Sequence, residues 1–161
     1  MRALKLTVLV VLFTIAVVLI AALFLPREIV ISQETFINAK PQVVFGQVNS
    51  LRNYIKWSPY EEDSTMTNIF EGPEAGVGAK RSWNGKKVGF GSIIITESSP
   101  YKLIKNAIEF GPQGKATETW NFDQKNGGTT VTWTTRIYDL SYPVGRLFGI
   151  LMDDMMATME T

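Results

Sequence analysis

The chain has 161 residues, of which 45% are hydrophobic and 19% charged, and this length predicts one globular domain. It contains no cysteine, which excludes disulfides, thiolate nucleophiles and cysteine-ligated zinc or iron–sulfur sites. It also contains no histidine, the commonest metal ligand and the usual general base near neutral pH. The 16 basic and 15 acidic side chains almost balance, whereas a nucleic-acid-binding domain is normally clearly basic. We therefore expect no cofactor, no metal ion and no nucleic acid partner.

The first feature along the chain is an uncharged apolar run at residues 6–25, LTVLVVLFTIAVVLIAALFL. As a helix, a run of this length spans roughly 30 Å, the thickness of the hydrocarbon core of a bilayer. A buried helix of a soluble protein would normally carry a polar stripe. A cleaved signal peptide would have a shorter apolar region and small residues at its cleavage site, whereas Leu23-Phe24-Leu25-Pro26 is bulky. We predict an uncleaved transmembrane signal-anchor at residues 1–26 and a folded domain at residues 27–161.

The charged residues that flank this run predict its orientation. Arg2 and Lys5 precede it, and the Arg27 that follows it stands directly before Glu28. Because positive charge is retained on the cytoplasmic side of a membrane, we predict a cytoplasmic amino terminus. The domain is then expected on the periplasmic or extracellular side, as in a protein of a bacterial inner membrane.

The segment after the run predicts one strand and two short helices. Residues 28–38, EIVISQETFIN, are rich in β-branched side chains that roughly alternate with polar ones, which favours a strand. Pro41 suits the first turn of a helix and valines follow it at helical spacing, so we predict a helix at 41–48. A second helical piece at 50–56 ends before Pro59, because proline disfavours helical backbone in the residue before it.

The middle of the chain predicts only strands. Short turn sequences separate them, including Asn84-Gly85, which is typical of a type I′ hairpin. Connections this short predict that consecutive strands are antiparallel neighbours. Gly89 and Gly91 favour a β-bulge in the fourth strand of the domain. The six strands predicted here lie at about 65–71, 77–84, 87–98, 101–110, 115–124 and 128–139.

The last segment, residues 142–161, predicts an amphipathic helix, because apolar residues recur at helical spacing from Val144 to Met159. An antiparallel sheet of seven strands must bury one face, and this helix is the only element large enough to cover it. The predicted fold class is α+β. An N-terminal transmembrane helix precedes a helix-grip domain, which has a seven-stranded curved antiparallel sheet, two short helices and a long C-terminal helix.

No catalytic motif is found. Gly76-Val77-Gly78-Ala79-Lys80-Arg81 begins like a dinucleotide fingerprint, but arginine stands where a glycine is needed and a strand follows instead of a helix. The acidic run Glu61-Glu62-Asp63 has the chemistry to hold a divalent cation, although a solvated loop is the expected structure. We assign no catalytic residue and no metal ligand.

Strand alternation places large apolar side chains on one face of the sheet. Such a face makes either a close-packed core or the wall of a small-molecule pocket, and methionines on the last helix would form a pliable wall. The same alternation puts Arg81, Glu118 and Thr135 on the inner face, where a polar group must be paired or meet a ligand. The candidate ligand-binding residues are Trp57, Trp83, Ile104, Ile108, Trp120, Trp133, Phe148 and Met152.

A family resemblance rests on a set of short segments spread along the domain. They are Phe36-Ile37-Asn38-Ala39, Pro41-Gln42-Val43-Val44-Phe45, Leu51-Arg52-Asn53-Tyr54, Trp57-Ser58-Pro59-Tyr60, Gly72-Pro73-Glu74-Ala75-Gly76-Val77-Gly78-Ala79, Ser82-Trp83, Gly89-Phe90-Gly91-Ser92, Ile95-Thr96-Glu97-Ser98, Gly128-Thr129-Thr130-Val131-Thr132-Trp133 and Pro143-Val144-Gly145-Arg146-Leu147-Phe148-Gly149. On these segments, over about residues 28–155, the domain resembles the SRPBCC superfamily of START-like, helix-grip proteins. It is most similar to membrane-anchored bacterial members of the polyketide cyclase/dehydrase type.

The resemblance implies a deep apolar cavity between the sheet and the C-terminal helix. Members of the family bind lipids, polyketides, hormones or other hydrophobic molecules, and some are cyclases or dehydratases. They share no catalytic residue, so none is transferred to this chain. The last helix of the family usually runs further than residue 161, so we expect either a truncated chain or a less completely closed cavity.

Three functions follow as hypotheses. The leading one is a membrane-tethered domain that binds or carries a hydrophobic small molecule or lipid without catalysis. The second is a cyclase or dehydratase, in which Glu118, Glu109 or a tyrosine would serve as acid or base after burial had moved its pKa. The third is a protein-interaction or stress-response domain with a filled core. A cavity of ligand size would separate the first two hypotheses from the third.

Overall fold

The computed structural model describes residues 2–58, 61, 63–111 and 114–147. The chain begins with an apolar helix, α1 (Arg2–Leu23), followed by strand β1 (Ile29–Ile37) and two short helices, α2 (Pro41–Asn49) and α3 (Leu51–Tyr54). Six more strands follow: β2 (Thr67–Glu71), β3 (Lys80–Gly85), β4 (Gly89–Ser99), β5 (Leu103–Glu109), β6 (Lys115–Lys125) and β7 (Gly128–Tyr138). Of the predicted final helix, residues 144–147 are helical, and the part from residue 148 onward lies outside the described residues.

The seven strands form one antiparallel sheet in the order β1-β7-β6-β5-β4-β3-β2. Strands β2 to β7 are successive neighbours, as their short, turn-forming connections predict. Strand β1 completes the sheet beside β7, with a register that runs from Ile29 opposite Ile137 to Ile37 opposite Thr129. The described fold is therefore α+β and helix-grip-like, in agreement with the predicted class.

The turn between β3 and β4 differs from the prediction. Asn84 and Gly85 are not its centre but the last paired residues of β3, opposite Phe90 and Gly89, and residues 86–88 form the turn. The left-handed backbone is at Gly89, where φ is +67°. A contact far away in the sequence, described below, fixes this turn. Strand β3 also begins at Lys80, three residues later than predicted.

Helices α2 and α3 cover one half of the inner face of the sheet, because their apolar side chains point towards it. Phe45, Val48 and Leu51 belong to the same buried cluster as the strand residues beneath them. The ring of Phe45 meets that of Phe122 edge-on, with 5.5 Å between ring centroids. Burying each such side chain stabilises the fold by about 1.5–3 kcal/mol. We call this part of the sheet the filled half, represented by Ile104, Trp120, Phe122 and Val131.

Helix α1 differs in character from the rest of the molecule. Its segment Lys5–Leu23 has a mean hydropathy of 3.1, with only 6% of the most apolar window buried in the protein. The segment is long and apolar enough to cross a membrane, and a signal sequence has the same properties. Its C-terminal end nevertheless contacts the domain, since Ala22 is completely buried.

Candidate functional site

The register of the sheet arranges inner-face residues in rows that cross neighbouring strands. Next to the filled half lies a row in which Asn106 of β5, Glu118 of β6 and Thr135 of β7 stand side by side. We call these three residues the polar row. In the following row the residues from β4 to β7 are apolar, namely Ile93, Ile108, Ala116 and Ile137, and Arg81 of β3 stands opposite Ile93. The polar row and the rows beyond it form the hollow half of the sheet.

A cavity of about 440 Å³ lies over the hollow half. Its wall includes two members of the polar row, Glu118 and Thr135, and a charged pair, Arg81 and Glu61. The rest of the wall that comes from the strands is apolar, as is Phe110, which directly follows β5: Ile29, Ile31, Trp83, Ile93, Ile108, Trp133 and Ile137. An apolar pocket with a few placed polar groups is the usual composition of a small-molecule site.

Glu118 is a buried carboxyl on the cavity wall and is 3% exposed. Its Oε2 accepts hydrogen bonds from Asn106 Nδ2 at 3.1 Å and from Trp120 Nε1 at 3.3 Å. Burial raises the pKa of Glu118, because desolvation penalises the charged form, and the donated hydrogen bonds oppose this effect only in part. The group can therefore act as a hydrogen-bond donor when protonated and as an acceptor when ionised.

Three buried polar atoms near this carboxyl have no hydrogen-bond partner among the described residues. They are Thr135 Oγ1, Trp133 Nε1 and Asn106 Oδ1. The Trp133 N–H acts on the Glu118 carboxylate and lowers its pKa, but without reaching hydrogen-bonding geometry. Most buried polar groups in proteins are paired, so a cluster of three unpaired atoms at one place requires an explanation.

Arg81 is the opposite case, a buried charge whose donors are engaged. It is 4% exposed, and its Nη1 and Nη2 donate to Glu61 Oε1 at 2.6 Å and Oε2 at 2.7 Å. Its Nε donates to Asn68 Oδ1 at 2.7 Å, and the guanidinium lies 5.5 Å from the ring centroid of Trp83. This bidentate geometry is typical of a strong structural pair. Arg81 is therefore part of the wall and has little capacity left for an anionic ligand.

Glu61 and Asp63, the two described residues of the acidic run, do not have the solvated character that the sequence predicts. Asp63 is 4% exposed, and its carboxylate accepts hydrogen bonds from Thr65 Oγ1 at 2.6 Å and from the backbone N–H groups of Thr65, Lys87 and Val88 at 2.9, 2.8 and 3.3 Å. These bonds, above all that from the Thr65 hydroxyl, hold the pKa of Asp63 well below its usual range. They also fix the turn at 86–88. Among the described residues, no group of three or more acidic side chains could hold a metal ion.

The predicted ligand-binding residues separate into four groups. Those on the cavity wall are Trp83, Ile108 and Trp133. Ile104 and Trp120 do not line the cavity within the described residues, because α2 and α3 pack over that end of the sheet. Trp57 is 44% exposed after α3, with its ring edge-on to Trp120 at 6.0 Å. Phe148 and Met152 lie outside the described residues.

Sequence reasoning did not select the wall residues that lie outside the strands in the two segments flanking β2 and β7, because strand alternation supplied most of the candidates. Glu61 and Met66 reach the cavity from the segment before β2, and Ser141, Val144 and Gly145 reach it from the segment after β7. One signal was available for the first of these segments. Asp63 followed two residues later by Thr65 is a pattern in which an aspartate accepts bonds from a nearby backbone N–H and hydroxyl.

Residues 141–146 follow β7 and include three wall residues, Ser141, Val144 and Gly145. We call this segment the cavity rim, and it also contacts the end of α1. The Tyr142 hydroxyl donates to the Leu19 carbonyl at 2.8 Å, and Arg146 Nη1 donates to the carbonyls of Ala22 and Leu23 at 3.2 and 3.1 Å. The last carbonyls of a helix lack intrahelical partners and carry partial negative charge, which an arginine complements. The rim of the cavity therefore lies beside the C-terminal end of the apolar helix.

Comparisons with known proteins agree with this architecture. The model of a family described as polyketide cyclase / dehydrase and lipid transport matches residues 28–160. Among solved structures, a protein from Chromobacterium violaceum is 17% identical, with 66% of this chain and 78% of that chain covered and a TM-score of 0.51. Major latex-like protein 151 from Panax ginseng is 15% identical, with 83% and 98% covered and a TM-score of 0.53.

A third solved structure, norcoclaurine synthase from Thalictrum flavum, is 14% identical, with 70% of each chain covered and a TM-score of 0.54. At these identities the likeness shows the fold alone. A search of curated proteins finds no match.

Proposed function

The chain belongs to the polyketide cyclase/dehydrase and lipid transport family, and on that premise we propose that it is a membrane-tethered protein that binds or carries a hydrophobic small molecule or lipid. The observation that carries this proposal is the cavity of about 440 Å³ over the hollow half of the sheet. Its largely apolar wall favours a ligand that gains roughly 25 cal/mol for each Å² of apolar surface removed from water, before the costs of binding. A cavity of this size favours a binding domain over an interaction domain with a filled core.

The tether in this proposal is α1, and the contacts at its end support it. Tyr142 and Arg146 attach the cavity rim to the last turns of α1. If α1 spans the bilayer, the rim lies near the membrane surface, where a lipid-like ligand can enter or leave with a short passage through water. Arg2 and Lys5 before the span give the proposed orientation, with the amino terminus in the cytoplasm and the domain on the periplasmic or extracellular side.

The test of binding is to recover ligands from the full chain. The protein is purified from membranes, and the small molecules extracted from it are identified by mass spectrometry. Ile108→Trp fills the cavity, so it should remove these molecules and weaken the uptake of a fluorescent fatty acid. Ile69→Trp places the same side chain at a position that is 64% exposed and should change neither result. Equal ligand content in both variants would contradict the proposal.

The test of the tether uses protease protection and intact mass. We expect the domain to be digested in spheroplasts but protected in inside-out vesicles, with the mature protein retaining residues 1–26. A mature mass that lacks this segment would show that α1 is a signal sequence, and the proposed tether would then be wrong.

A second candidate function, a cyclase or dehydratase, is favoured by Glu118, a buried carboxyl on the cavity wall with a raised pKa. Glu109 does not support it, because its side chain is 63% exposed and pairs with Lys115 at 3.6 Å. The molecules extracted from the wild type and from Glu118→Gln separate the two functions. A dehydratase variant would accumulate a substrate heavier than the product by one water, whereas a carrier would hold the same molecules in both proteins.

A further inference from the structure

The polar row leaves hydrogen-bonding capacity unused at the wall of the cavity. Thr135 is 9% exposed and Glu118 3% exposed, and both line the cavity. Thr135 Oγ1 and the neighbouring Trp133 Nε1 have no partner among the described residues. Burying an unpaired hydroxyl or N–H group is unfavourable, so a partner supplied by a ligand would recover free energy that the protein alone does not gain.

We propose that Glu118, Trp133 and Thr135 form a subsite for a hydroxyl group on an otherwise apolar ligand. This inference rests on the proposed binding function and adds the class of ligand, a long-chain or polycyclic alcohol. The hydroxyl would accept hydrogen bonds from Trp133 Nε1 and Thr135 Oγ1 and donate its own hydrogen to the carboxyl of Glu118.

A hydroxyl suits this group of atoms better than the other common polar ends of lipids. It both donates and accepts, so it matches an indole N–H, which only donates, and a carboxylate, which only accepts. A purely hydrocarbon ligand would leave Trp133 Nε1 and Thr135 Oγ1 without a partner. An ammonium group only donates hydrogen bonds, so it could not accept the one offered by the indole N–H.

A carboxylate end is disfavoured by the charges of the cavity. It would meet the carboxyl of Glu118, and among the described wall residues the sole cation is Arg81. The guanidinium of Arg81 is occupied by Glu61 and Asn68. A buried anion without a cationic partner is costly, so a fatty acid should bind more weakly than the corresponding alcohol.

The test compares three probes of equal chain length: 1-decanol, decane and decanoate. Their binding is measured by displacement of the neutral dye N-phenyl-1-naphthylamine from the full chain in nanodiscs, with empty nanodiscs as the partition blank. Thr135→Val removes the hydroxyl with little change of shape and should lower the preference for decanol over decane about fivefold, the value of one hydrogen bond. Decanoate should be the weakest ligand of the wild type.

Two further variants control this result. Thr119→Val makes the same replacement at the position after Glu118, on the opposite face of β6, and should leave the preference unchanged. Thr135→Ser keeps a hydroxyl and should retain the preference. An unchanged ratio of decanol to decane in Thr135→Val, or tighter binding of decanoate than of decanol to the wild type, would overturn the hydroxyl subsite and leave the proposed function intact. Failure of all three probes to displace the dye would overturn both.

Discussion

The filled and hollow halves of the inner face are built from the same strands but are covered differently. Ile104 and Ile108 lie on the same face of β5, with Asn106 of the polar row between them. Ile104 nevertheless packs under the helices, whereas Ile108 faces the cavity. The helical segment before β2 determines this difference, because α3 ends at Tyr54, which stands at the boundary. The comparison shows that strand alternation decides which face is buried, whereas the length of the covering helices decides where that face is packed.

The largest effect that would test this comparison comes from truncating the two isoleucines. Ile104→Ala should reduce the free energy of unfolding by about 4 kcal/mol, because the tightly packed half cannot close the new void, and Ile108→Ala by about 2 kcal/mol, because it enlarges an existing one. Urea unfolding of the full chain in detergent micelles, followed by tryptophan fluorescence, measures both. Equal losses would mean that the hollow half is packed as tightly as the filled half.

The next effect concerns the buried charge in the hollow half. Arg81→Met should lower the free energy of unfolding by about 3 kcal/mol, because Glu61 and Asn68 lose their partner. Lys80→Met is the matched control, since the Lys80–Glu71 pair at 3.0 Å is solvent-exposed and such pairs contribute less than about 1 kcal/mol. Similar losses in the two variants would show that burial adds nothing to the Arg81 pair.

A smaller effect is expected from the carboxylate that fixes the β3–β4 turn. The folded-state pKa of Asp63 lies below the unfolded value of about 3.9, so its ionised form stabilises the fold above that pH. Asp63→Asn should therefore be less stable than the wild type at pH 7. The difference should shrink as the pH falls below about 4 towards the folded pKa. Urea midpoints between pH 2.5 and 7 measure it, and a difference independent of pH would contradict the assignment.

Glu118 should show the opposite dependence on pH. Its folded-state pKa is raised above the unfolded value of about 4.3, so the wild type loses stability as the pH rises from about 4 to the folded pKa. Glu118→Gln lacks this loss, and its stability relative to the wild type should increase over that window and then become constant. The same urea titration measures it. A difference that falls with pH would mean that Glu118 is stabilised as a carboxylate.

Most of the fold could be predicted because its signals are local. Alternating β-branched residues and short turn sequences gave the seven strands, and Pro41 with its following valines gave α2. The alternation of side chains along each strand also predicted an inner-face position for Arg81, Glu118 and Thr135, and the structure buries all three. These predictions depend only on the two-residue period of a strand, which holds wherever the strand lies.

The remaining features depend on contacts between segments distant in sequence. The β3–β4 turn is set by Asp63, more than twenty residues away, and not by the Asn84-Gly85 pair. The bulge predicted at Gly89 and Gly91 is wrong, because both glycines pair with β3 in regular register. The register shift in β4 lies between Ile95 and Glu97, where no glycine marks it. The sequence also does not show which candidate residues face the cavity and which lie under the helices, since nothing in the pattern around Ile104 distinguishes it from Ile108.

The short connection between α1 and the sheet limits how far the domain can travel. Helix α1 ends at Leu23 and β1 begins at Ile29, so five residues, 24–28, join them, and even fully extended they reach only about 18 Å. The N–H of Leu140 also donates to the Arg27 carbonyl at 3.4 Å, which restrains this linker. A domain anchored by α1 would thus stay at one membrane surface and could not carry a ligand between two membranes. Under the proposed function, a lipid destined for a distant membrane would have to be taken over by a second, freely diffusing protein.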